Sequence, residues 1–142
     1  MSTKTKFIII TLVFAIPAFL LGRQIWPPSP DMVVPTSSQL FLLIILSVLE
    51  SVAFGLGVAF LILGWPLLKK VSGKGDALTK LTFLSIAWFL INWWPHDNLH
   101  VHNGINLNGL LKIDYGFHIT LVIAGAILAY FFFTRVLKPG AR

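Results

Sequence analysis

Three of the four histidines fall within seven residues, in Trp93-Trp94-Pro95-His96-Asp97-Asn98-Leu99-His100-Val101-His102-Asn103-Gly104. If Pro95 opens a short helix, its missing N–H costs nothing in the first turn, and His96 and His100 stand one turn apart on a single face. Imidazoles at that spacing can share a metal ion, as in zinc hydrolases, although the glutamate between the two histidines of those enzymes is absent. His100 and His102 would instead flank a metal from an extended segment. The fourth histidine, His118, lies one helical turn beyond Asp114, so these two also share a face. His96, His100, His102 and His118, with Asp97 and Asp114 as direct or supporting oxygen ligands, make a donor set suited to Zn, Fe or Cu(II). The plainer alternative is a hydrogen-bonded cap, in which Asn98, Asn103, Asn106 and Asn108 close turns and the histidines are interfacial polar groups.

Glu50 is the second place where chemistry is expected. Counted inward from Leu40 it falls about 15 Å deep in an apolar run, where a carboxylate is costly unless it is protonated, paired or turned toward a cavity. It is the candidate buried proton site; a neutral Glu hydrogen-bonded across helices is the structural alternative. Ser47, Glu50, Phe54, Gly57, Leu61 and Gly64 form one stripe, with small residues suited to helix contact. Ser85, Trp88 and Asn92 form a similar stripe leading toward the histidines. Trp88 is the aromatic expected deepest and the candidate for cofactor contact, whereas Trp26, Trp65, Trp93 and Trp94 fall at span ends, as interfacial anchors do.

The elements that must position these groups are membrane helices. Apolar residues make up 56% of the chain and charged residues only 11%, with a mean hydropathy of +0.85, too few charges to clothe a soluble surface. The pattern predicts an all-α integral membrane protein of four transmembrane helices in a single domain over 1–142, with spans at about 7–26, 40–65, 78–94 and 115–133. Phe7 to Leu21 alone rises roughly 22 Å, short of a hydrocarbon core of about 30 Å, so this span is extended toward Trp26 with Arg23 snorkelling. It follows Lys4 and Lys6 as a signal peptide would. No small-x-small cleavage site follows it, and a retained helix, bent at Pro17, is expected.

Basic residues orient the spans. Lys4 and Lys6, then Lys69, Lys70, Lys74 and Lys80, then Arg135, Lys138 and Arg142 account for nine of the eleven, and all flank apolar segments. The two remaining connections carry only Arg23 and Lys112 against Asp31, Asp97 and Asp114. The positive-inside rule then places both termini in the cytoplasm, N-in and C-in, and the His/Asn-rich loop between the third and fourth spans outside. A net charge of +6 is explained by this arrangement, so no nucleic-acid partner is required. The first outer connection, Trp26 to Pro35, contains Trp-Pro-Pro-Ser-Pro and is expected to be stiff and extended. The Gly-Lys at Gly73-Lys74 lacks the spacing of a phosphate-binding loop. There is no cysteine, which removes thiolate ligands, disulfides and thiol catalysis.

The expected function is a small membrane metalloprotein, or a metal-binding accessory subunit, of a prokaryotic inner membrane. Its His/Asp site lies on the outer face, and its partners are the lipid bilayer and a homo- or hetero-oligomer or larger membrane complex. A noncatalytic assembly subunit is the first alternative, and a proton-coupled transporter or a haem- or quinone-binding protein the next. Haem ranks below a simple metal ion because the histidines gather at the interface rather than pairing across the centre of two helices. If the protein is an enzyme, a metal would activate water or oxygen while Asp97 or Asp114 orients a histidine or moves a proton.

Overall fold

Five α-helices account for most of the chain in the computed structural model, which describes residues 1–137. Lys138 and Arg142, two of the basic residues used to orient the spans, lie outside the described residues. Helix α1 runs Thr3–Ile25, α2 Ser37–Ser72, α3 Ala77–Ile91, α4 Trp93–Asn103 and α5 Leu107–Phe131, which ends in a π-helical turn at Phe132–Val136. No strand occurs among the described residues.

Local chemistry sets the helix ends. Ser2 accepts from the Thr5 N–H at the start of α1, and the Thr36 N–H donates to Gln39 Oε1 at the start of α2. Gly73, with φ +67°, ends α2 in the left-handed conformation that glycine adopts without strain. Asp76 then caps α3 by accepting from the Thr79 N–H and hydroxyl, at 3.0 and 2.9 Å. Arg135, from the far end of α5, also reaches the Asp76 carboxylate. Asn106 Oδ1 caps α5 by accepting from the Gly109 N–H.

Small residues set the packing. In α1 the buried residues are Thr11, Ala15, Ala18 and Gly22, a stripe along one face, and in α2 Gly55 lies against it. A Cβ at Gly55 would run into the Thr11 carbonyl and Ala15, so two backbones meet there without intervening side chains. Gly57 does the same against Leu90 and Ile91 of α3. In α3 the buried groups are Thr79, Thr82, Ser85 and Ala87, and Trp88 Nε1 donates to Thr120 Oγ1 of α5 at 3.0 Å. α1 packs on α2, α2 on α3 and α3 on α5, with α4 set across the end of the bundle against α2 and α5.

The expectation of four transmembrane helices is corrected here. Three helical segments, Thr3–Ile25, Ser37–Ser72 and Leu107–Val136, are long and apolar enough to cross a membrane, and α3 is not. Its 15 residues rise only about 22 Å. The sequence placed a span over 78–94, but the α-helix stops at Ile91, and the residues that follow Asn92 form the polar helix α4. The apolar run and the histidine segment are therefore successive helices, not a span followed by a loop.

Candidate metal centre

The site is assembled at the α3–α4 junction and the first turns of α5. Asn92 has helical backbone angles and is fully buried; its side-chain N–H donates to the Trp88 carbonyl. The chain can therefore begin α4 almost without interruption, with Pro95 in the first turn, where no backbone donor is needed. Trp94 anchors α4, its indole N–H donating to the Ala18 carbonyl of α1 at 3.0 Å and its ring lying against Trp26 and Phe54. Asn98, buried beside Gly22, donates to the Trp94 carbonyl.

With α4 held in this way, His96 and His100 face α5. Their Nε2 atoms are 3.0 Å apart, and His100 Nε2 is 3.2 Å and His96 Nε2 4.0 Å from Asp114 Oδ1. These three residues form a half-buried cluster whose ligand atoms all lie within 4.8 Å of one another, close enough to hold one metal ion. Bonds of about 2.0–2.1 Å to nitrogen and oxygen set neighbouring ligand atoms about 2.9 Å apart at right angles and about 3.4 Å apart in a tetrahedron. Two of the observed separations fall in that range. The third, between His96 Nε2 and Asp114 Oδ1, is longer at 4.0 Å.

His118 borders the cluster. Its Nδ1 is 3.9 Å from Asp114 Oδ1 and its ring lies 5.1 Å from that of His96, while more than half of its side chain is exposed. Phe117 supplies an apolar wall, 5.2 Å from the His96 ring and stacked on Trp88. A cavity of about 390 Å³ runs along the exposed face of α5 beside Asp114 and His118, bounded by Tyr115, Ile119, Val122 and Ile123. Burial and the neighbouring imidazoles of His100 and His118 hold His96 below its ordinary value, against the pull of Asp114 and Asp97. A neutral imidazole is the form that binds a metal.

The other residues expected at the site are placed elsewhere. His102 Nδ1 lies 2.8 Å from the Pro27 carbonyl, which only accepts, so His102 is the donor and serves to tie α4 to the first connecting segment. The Val101 carbonyl accepts from the Ser29 N–H, and Asp31 accepts from the Ile105 N–H, so the two connections are stitched together. Gly104, with φ +61°, permits this approach, because a Cβ there would collide with Asp31 and Ser29. Asp97 faces the opposite side of α4, where its carboxyl meets Glu50, with Arg23 nearby. Glu50 is therefore level with the end of α1. Trp88 lies between α3 and α5, touching Phe117 and Thr120.

Sequence reasoning did not assign a site role to Phe117 or bring Arg23 to Glu50. Phe117 carried one signal, its spacing of three from Asp114 on the same helical face. Arg23 carried none, because nothing local ties the end of α1 to the middle of α2. The chain matches no protein-family model, and neither a curated protein nor a solved structure shows significant similarity to it.

Proposed function

We propose that this protein is a small membrane metalloprotein that binds one divalent first-row ion, Zn or Fe, through His96, His100 and Asp114. The observation that carries this reading is the convergence of two Nε2 atoms and a carboxylate oxygen from α4 and α5, at separations suited to bonds to a common ion. Two imidazoles and one carboxylate leave at least one coordination position for water, a reactant or a further ligand. His118 is placed to act as that fourth ligand or to exchange a proton with a bound water.

The basic residues Lys69, Lys70, Lys74, Lys80 and Arg135 gather at the end of the bundle where α2, α3 and α5 meet, opposite the histidines. The positive-inside rule then supports a cytoplasmic basic end and a metal site toward the outer face of a prokaryotic inner membrane. An accessory-subunit reading is favoured by a separate observation. Between Leu40 and Leu49, every large apolar side chain of α2 is exposed among the described residues. A neighbouring subunit of a larger complex would cover the part of that surface formed by Phe41, Leu42, Ile45 and Leu49, and copurification from native membranes would reveal it.

Loading with Co(II), which gives coloured complexes, tests the ligand set. The full-length protein in lipid nanodiscs should take up one equivalent with a visible spectrum, and His118→Ala should alter the bands without abolishing them. A spectrum unchanged in both His100→Ala and Asp114→Ala would overturn the assignment.

A further inference from the structure

On the side of α4 away from the histidines lies a cavity of about 410 Å³, set between the end of α1, the first half of α2 and the connection that joins them. Its size is within the range of small-molecule sites, and its walls are mostly apolar. The polar groups are gathered together: Glu50, Arg23, Ser47 and Asn98 line it, and the Asp97 carboxyl approaches Glu50. Leu40, Leu43 and Ile44, each substantially exposed on the outer part of α2, form the opposite wall, toward the bilayer.

Glu50 is the residue that makes this more than an apolar groove. It is 8% exposed, lines the cavity and forms no ion pair within 4 Å among the described residues. Its side-chain hydrogen bond is to the Asp97 carboxyl, while the Ser51 hydroxyl is engaged with the Ser47 carbonyl, the Trp94 indole with Ala18 and the Asn98 amide with Trp94. A carboxyl has lone pairs beyond the one that meets Asp97, and a ligand that donates to them offsets the cost of its burial.

We propose that this cavity binds a neutral, membrane-soluble amphiphile with a hydroxyl head, the hydroxyl donating to Glu50 and its oxygen accepting from Arg23. The charges select the head. A phosphate would face two carboxyls, whereas a hydroxyl donates to Glu50 and accepts from Arg23 without adding charge. An apolar body would lie along Leu40, Leu43 and Ile44, in contact with the lipid from which it enters. This site is separate from the metal cluster and stands whether or not that cluster is loaded.

Two sources share this chemistry, quinols and long-chain alcohols. A photoreactive dodecanol carrying a diazirine, added to the full-length protein in nanodiscs, should label residues at the cavity wall such as Val33, Leu43 or Ile44. Decylubiquinol and unlabelled 1-dodecanol should compete, the more potent of the two naming the source, while dodecyl phosphate should compete at least tenfold more weakly. Ser47→Phe, which fills the cavity, and Glu50→Leu, which removes the acceptor, should each reduce labelling tenfold or more. His100→Ala should not change it. Labelling of the wild-type protein spread evenly over the lipid-exposed helices, or equal competition by dodecyl phosphate, would overturn the proposal without any variant being needed.

Discussion

His96 and His100 bring their Nε2 atoms together as their spacing allows, and Asp114 meets this pair rather than His102. Because both imidazoles must be neutral to bind a cation, protons compete with the metal. Affinity should fall about tenfold or more between pH 7 and pH 5.5, measured by competition with a coloured chelator. Stability of the metal-free protein follows the same residue. His96 is held below the ordinary histidine value of 6.5, first by burial, so the unfolded chain binds the proton more readily. Stability therefore rises with pH across the window just below 6.5 and is lost as pH falls through it, which thermal unfolding at stepped pH would reveal. His102 is different: His102→Ala should keep metal affinity within a fewfold and lower the melting temperature, because it breaks only the bond to Pro27.

Helix ends and close helix contacts dominate at the element scale. Asp76→Ala removes both the cap of α3 and the partner of Arg135, and should lower the midpoint of a denaturation experiment. Asp76→Asn should recover most of that by keeping the cap. Gly55→Val forces α1 and α2 apart at the Thr11 carbonyl and should destabilise more, by about 1–3 kcal/mol. These elements differ in how far the sequence disclosed them. Whereas the spacing of the histidines allowed His96 with His100 and His100 with His102 alike, the long apolar runs of α1, α2 and α5 are read directly from composition. The limits of α3 are not, since Asn92, Trp93 and Trp94 have the character of an interfacial end as well as of a helix that continues. The choice between Asp97 and Asp114 depends on how α4 is rotated, and that rotation is set by Trp94 docking on Ala18, 76 residues away.

For the whole molecule, three helices long and apolar enough to cross a membrane, joined by the shorter α3 and the polar α4, hold a basic end apart from the histidine end. Because the chain has no cysteine, single cysteines report its orientation cleanly. In intact cells, Ser29→Cys should react with a membrane-impermeant maleimide, and Lys74→Cys should react only after the membrane is opened; the reverse order would invert the proposed orientation. We propose that α4 and α5 together hold one metal ion. Elemental analysis of the protein purified from native membranes, alongside His100→Ala and Asp114→Ala, tests it most directly. One divalent first-row ion per wild-type chain, lost from both variants, is the predicted result; a full equivalent retained by both would contradict the account.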